Sequence, residues 1–180
     1  GQIYDPFVYL GLLAGKTKQI ALGVASIVLP LRHPVHVAKS AASIDQLSDG
    51  RLLLGIASGD RPEEYPALNL NFDDRGVRFQ ESYQYIRQMS ENSPEFTNSY
   101  GSPHRGMDML PKPVSGKIPM LITGGSQQSP QWVAENGDGW ITYPRGIELQ
   151  SKIITGWRQR IKKAEMTDKP AMQSLYIDLM

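Results

Sequence analysis

Three short stretches carry residues that could do chemistry, and each follows an apolar run: Ser58-Gly59-Asp60, Gly124-Gly125-Ser126 with Ser129 close behind, and Tyr143-Pro144-Arg145. Gly124-Gly125-Ser126 has the sharpest local character. Two glycines let the backbone approach a ligand closely. A serine there is read as the cap of the following helix, with Ser129 one turn in. Free amides and the positive helix end then face the mouth of the loop, and a phosphate suits that arrangement. The same residues also make an ordinary strand-to-helix turn, so both readings stay open. Ser58-Gly59-Asp60 reads the same way with less to distinguish it. Arg145 could hold an anionic substrate beside Tyr143 or form a surface ion pair. Trp140 could wall a cofactor or pack in the core.

Several other chemistries are excluded. The chain has no cysteine, so thiolate metal sites and disulfides are out. His33, His36 and His104 share no metal-ligand spacing with carboxylates, and no metal site is expected. His33, just before Pro34, reads as a helix cap or packing residue. No GxSxG elbow, P-loop or strand-linked GxGxxG occurs. With 19 basic and 18 acidic residues the net charge is +1, so no global field favours nucleic acid or an anionic membrane. The basic cluster Arg158, Arg160, Lys162 and Lys163 reads as the solvated face of an amphipathic helix. No apolar run approaches the roughly 20 residues of a membrane span. A cytoplasmic location is the expectation.

The elements that must position these residues can be read from periodicity. Pro6 to Ala14 reads as a short helix closed by Gly15. Ile20 to Leu29 reads as a buried, β-branched strand. Pro34 opens a helix with Val37, Ala38, Ala41, Ile44 and Leu47 at helical spacing, stopped by Gly50. Leu52 to Ala57 is a second buried strand, followed by an irregular or helical stretch from Arg61 to Leu70. Asp73 and Asp74 are the expected caps of a helix reaching about Ser90. Residues 91–118, rich in Ser, Gly, Pro and Asn, read as a long loop or insertion that shapes the pocket. Then come a strand (Pro119 to Thr123), a helix (Ser126 to Asn136), a strand (Trp140 to Tyr143), a helix (Ile147 to Ala164) and a strand (Ser174 to Leu179). Apolar strands alternating with helices imply a parallel sheet covered by helices, either doubly wound or a (β/α)₈ barrel. In both, chemistry sits at the C-terminal ends of the strands.

These segments resemble the bacterial luciferase-like family of flavin-dependent monooxygenases. The likeness is carried by LGVASIVLPLRHPVHVAK (22–39), IDQLSDGRLLLGIASG (44–59) and the strand–turn–helix from Pro119 to Trp132, and it runs over nearly the whole chain. The resemblance implies a single domain over residues 1–180 with the (β/α)₈ TIM-barrel fold. The five strands match the third to seventh of that barrel, which makes the chain a partial barrel, incomplete at both ends. The resemblance also implies a cofactor, FMN, or alternatively a deazaflavin coenzyme. Ala25-Ser26 falls where the family has a non-proline cis peptide beneath the flavin ring. Ser58, Gly59 and Asp60 fall on the loop that reaches the flavin side chain and phosphate. Gly124, Gly125, Ser126 and Ser129 fall on the phosphate-binding turn. Luciferases carry an arginine at the position of Ser58 and a glutamate at that of Gly125, so one charged phosphate contact is missing here.

Tyr143 and Arg145 are the expected substrate contacts. The family's best-known histidine lies outside the chain, and its role is not transferred to His33 or His36. The activity implied is a two-component monooxygenase. It uses oxygen and reduced FMN, supplied by a separate flavin reductase, on a small organic substrate, commonly as a homodimer. The alternatives are deazaflavin-dependent hydride transfer and a non-catalytic flavin-binding protein.

Overall fold

The apolar run Leu52-Leu53-Leu54 forms the start of a strand buried on one face because its alternate residues meet a layer of helices. A computed structural model of the chain describes residues 3–174. The helices are α1 (Pro6–Lys16), α2 (Pro34–Leu47), α3 (Arg75–Met89), α4 (Pro130–Asn136) and α5 (Ile147–Lys163). The strands between and after them are β1 (Leu22–Val28), β2 (Leu52–Ala57), β3 (Met120–Thr123), β4 (Gly139–Thr142) and β5 (Ala171–Gln173). The strands form one parallel sheet in chain order. A doubly wound sheet reverses its strand order at a switch point. An unbroken sequential order with right-handed crossovers keeps every helix on one face, which is the wall of a (β/α) barrel. The sheet order therefore selects the barrel from the two architectures compatible with the pattern.

On the helix side, Leu52, Leu54 and Ile56 of β2, Met120 and Ile122 of β3, and Val37 and Ala41 of α2 are buried in a common core. Phe79 and Ile86 of α3 and Trp157 and Ile161 of α5 extend it. At the N-terminal end of the strands the SDGR segment acts as a staple. Asp49 and Gly50 take left-handed backbone conformations. Arg51 then donates to the carbonyls of Ala14, Thr17, Ile20 and Ser48 and to Thr17 Oγ1, which ties α1, β1 and α2 together.

Several boundaries differ from the sequence reading, each for a local reason. The first strand is shorter than Ile20–Leu29, because Ile20 is exposed and Leu29–Leu31 turn into a single 3-10 turn. Gly15 lies inside α1, which ends at Lys16 with Thr17 as its cap. Asp73 and Asp74 do not cap α3 with their side chains. Asn71 Oδ1 accepts from the Asp73 amide instead, at the start of a 3-10 turn that leads into the helix. The last described strand is Ala171–Gln173. The strand expected over Ser174–Leu179 lies outside the described residues from position 175 onward.

The segment 91–118 holds no helix or strand beyond an isolated Asn98–Gly101 bridge. It packs along the outside of α2 and α3. Phe96 meets Tyr85 at 4.7 Å, the Gln46 side chain donates to Lys112 O (2.9 Å), and the Val114 amide donates to the buried Asp45 carboxylate (2.8 Å). Ser99 and Tyr100 border a cleft at the strands' C-terminal rim together with Pro30, Leu31, Arg32 and His33. Among the described residues no helix is long and apolar enough to cross a membrane, and no group of metal-ligating side chains is assembled.

Candidate functional site

The turn after β3 is built by left-handed residues: Gly124 (φ 59°), Ser126 (φ 46°) and Gln127 (φ 62°). At Gly124 the backbone needs glycine for two reasons, since a Cβ there would also press on Tyr143 Cε2 at 3.2 Å. Gly124 is held from both sides. Its amide donates to Ile141 O (2.8 Å), and its carbonyl accepts from Trp140 Nε1 (2.8 Å). Beyond it, the Gly125, Ser126 and Gln127 amides have no acceptor among the described residues, and Gly125 is exposed. Gly125 lies between the left-handed Gly124 and Ser126, and successive backbone amides around such a step suit an anion.

The serines exchange the roles expected of them. Ser129 is the N-cap of α4, its Oγ accepting from the Trp132 amide at 3.1 Å. Ser126 is buried in the turn, where its hydroxyl donates to Thr123 O at 2.8 Å. α4 therefore starts at Pro130 and not at Ser126, because the left-handed Ser126 and Gln127 cannot belong to a right-handed helix. Thr123 Oγ1, at the end of β3, is buried and has no partner among the described residues. A buried hydroxyl without a partner is a costly arrangement unless something else satisfies it.

Across the sheet, β1 carries an extra residue. Val24 pairs with Leu54 and Ile27 with Ile56, so three steps on β1 match two on β2. The Ala25–Ser26 peptide inside this bulge is cis, as the resemblance implies. Gly55 of β2 makes the bulge possible. A Cβ there would lie 2.3 Å from Val24 O and 3.1 Å from Ala25 Cα. Ile141 Cδ1 lies 3.0 Å from the same point, which places Gly55 and Ile141 together on the face opposite the helices. Ala25 is exposed on that face.

Ser58, Gly59 and Asp60 follow β2 on the same rim as the β3 turn. Ser58 is buried, and its carbonyl accepts from the fully buried Tyr65 hydroxyl at 2.6 Å. Burial raises the pKa of Tyr65, which keeps the phenol a hydrogen-bond donor. Asp60 is exposed. The two loops are joined through the start of α3: Gln128 Nε2 donates to Gly76 O (2.8 Å), and a Cβ on Gly76 would meet Gln127 Cβ at 2.9 Å. Arg75, beside Gly76, lies over the Phe72 ring at 3.8 Å and leaves a buried Nε without a partner among the described residues. The β3 turn thus lies on the rim that carries Ser58, and its exposed residue Gly125 is not covered by packed side chains.

Tyr143 is exposed and lies against Gly124. Arg145 folds back on its own strand end, donating to Thr142 Oγ1 (2.8 Å) and Tyr143 O (2.9 Å). Trp140 points to the helix side, where it packs against Trp157 at 5.4 Å, so it steadies the turn from behind instead of walling the mouth. His33 caps α2, its Nδ1 accepting from the Val35 amide, and packs edge-on against Tyr85 and Tyr100. His36 lies 5.9 Å from it.

A clamp missed by sequence reasoning holds β3 and β4 to α3. Asp138 accepts from Arg87, Lys117 and the Met120 amide. Burial opposes its ionisation, but Lys117, the Met120 amide and Arg87 outweigh that, and the carboxyl stays below the ordinary aspartate pKa.

The profile described as luciferase-like monooxygenase matches residues 1–176. The chain is 31% identical over 176 residues to the oxygenase component of the flavin-dependent trigonelline monooxygenase of Acinetobacter baylyi, covering 95% of this chain and 49% of that protein. Its fold superposes with a TM-score of 0.77 on the oxygenating constituent of 3,6-diketocamphane monooxygenase from Pseudomonas putida, solved in complex with FMN. That match covers 91% of this chain and 49% of that one at 19% identity. An F420-dependent secondary alcohol dehydrogenase, solved with an F420-acetone adduct, superposes with a TM-score of 0.80 at 16% identity over 96% of this chain and 54% of that one. The chain spans about half the length of the curated relatives it matches.

Proposed function

The chain belongs to the luciferase-like monooxygenase family, and from that premise we propose that it binds FMN at the C-terminal rim of the barrel and works as the oxygenase component of a two-component monooxygenase. The observation that carries this reading is the β3 turn. Three amides without acceptors stand on one rim with the Ser58 loop and on the same sheet as the Ala25–Ser26 bulge. The Gly125, Ser126 and Gln127 amides hold the phosphate, with the Ser129 hydroxyl free to donate to it. Backbone donors replace the guanidinium that luciferases place at Ser58, and the nearby Arg75 adds positive charge. Thr123 Oγ1 satisfies its hydrogen bond on the flavin side chain. The exposed Asp60 carboxylate and Gly59 suit ribityl hydroxyls, which donate, and not phosphate, which repels a carboxylate. The bulge at Ala25-Ser26 supports the ring.

When bound and reduced, FMN supplies the activation of oxygen. The chain's own residues position it and exclude water from the mouth, with Tyr143 and Arg145 as the contacts to a small organic substrate. Reduced FMN comes from a separate reductase. Mixing the full-length protein with FMN at micromolar concentrations should perturb the flavin absorbance bands, and an unperturbed spectrum refutes the reading. The likeness to an F420-dependent dehydrogenase supports a second reading, hydride transfer on a deazaflavin. Oxygen uptake during turnover decides between them, since deazaflavin chemistry consumes none.

A further inference from the structure

Behind the β3 turn, on the helix side of the sheet, a cavity of about 390 Å³ opens between α4 and α5. Its floor is apolar: Val133 of α4, Trp140 of β4, and Ile153 and Trp157 of α5. Its rim carries Arg145, Lys152 and Arg160 together with Gly124, Gly125 and Gln128 of the β3 turn, and no carboxylate lines it. Among the described residues none of these three cations is in an ion pair. The space exists because residue 156, within α5, is glycine. Mid-helix glycine is unfavourable for the helix, and here the missing side chain leaves the gap open. A Cβ at Gly156 would meet only Arg160, Nη1 at 3.0 Å and Cζ at 4.0 Å, so the backbone itself would accept a larger residue.

We propose that this cavity is a second ligand site that takes a planar aromatic anion, an aryl carboxylate, sulfonate or phosphate. The volume is that of a small-molecule pocket. The indoles of Trp140 and Trp157 offer an aromatic floor, and three unpaired cations with no neighbouring carboxylate select negative charge. Trp140 and Trp157 face the helix layer, so the floor of the site lies on the other side of the sheet from Ala25, Gly55 and Ile141, while its mouth borders the β3 turn. Because the cavity shares Gly124, Gly125 and Arg145 with the site proposed for flavin and substrate, the proposal rests beside that reading, and competition with FMN separates the two.

The test is calorimetric titration of the full-length protein with naphthalene-2-sulfonate and, for comparison, with neutral 2-naphthol. Gly156→Leu fills the cavity and restores a helix-forming residue. It should leave the melting temperature undiminished and weaken sulfonate binding by about tenfold or more. Arg160→Gln should weaken the sulfonate by about threefold and leave 2-naphthol unchanged, as expected for a partly exposed charge. Absence of binding heat at millimolar sulfonate, retained affinity in a folded Gly156→Leu variant, equal effects of Arg160→Gln on the two probes, or displacement of the sulfonate by FMN would each overturn the proposal.

Discussion

Trp140→Phe removes one hydrogen bond, from Nε1 to Gly124 O at 2.8 Å, and keeps an aromatic ring against Trp157. Gly124 is then held only by its amide, and the turn that presents the Gly125–Gln127 amides loses its rear anchor. A single part-buried hydrogen bond of this kind contributes about 1 kcal/mol. If that loss falls on the anion-bound turn, FMN affinity drops by about fivefold, the factor that 1 kcal/mol represents. Riboflavin has the same ring and side chain but no phosphate, so its affinity should not change. Titration of each flavin by fluorescence quenching, with wild type and variant side by side, gives the ratio of the two dissociation constants. The reasoning predicts that the variant lowers the preference for FMN. Equal weakening of both flavins, or no change in either while chemical denaturation shows the hydrogen bond's loss, refutes the link from Trp140 to the cradle.

Gly55→Ala puts a Cβ 2.3 Å from Val24 O, and backbone must move. A loss of about 1–3 kcal/mol or more in urea denaturation is expected, together with weakened binding of FMN and riboflavin alike. Arg51→Met removes five hydrogen bonds at the far end of the barrel wall. Stability should fall by about 2–4 kcal/mol with flavin affinity unchanged in the folded protein. Asp138→Asn strands Arg87 and Lys117 and should destabilise by about 1–3 kcal/mol at pH 7. Because the folded pKa of Asp138 lies below its unfolded value, its contribution is full above the unfolded pKa of about 3.9 and is lost as pH falls through the folded value. The difference in melting temperature between wild type and variant should therefore shrink only below about pH 4.

The alternation of elements was readable because Leu52–Ala57, Met120–Thr123 and the α2 repeat are apolar with periods that only a strand or a helix satisfies. The SDGR segment was recognisable as a helix stop, but the role of Arg51 was not, since the acceptors of its bonds are mostly carbonyls with no sequence signature. The β3 turn was located correctly by its glycines. Its shape was hidden, because Ser126 and Gln127, not only glycine, adopt left-handed backbone there and shift the cap to Ser129. β5 is short and largely exposed, so it has no apolar run to announce it. Asp138 lies just before β4. Its partners Arg87 and Lys117 lie 51 and 21 residues away, a distance no local pattern spans.

A crystal structure of the full-length protein with FMN tests the central claim most directly. Phosphate oxygens should lie within hydrogen-bonding distance of the Gly125, Ser126 and Gln127 amides, on the rim shared with Ser58. A phosphate seated elsewhere, with those amides bound only to water, would contradict it.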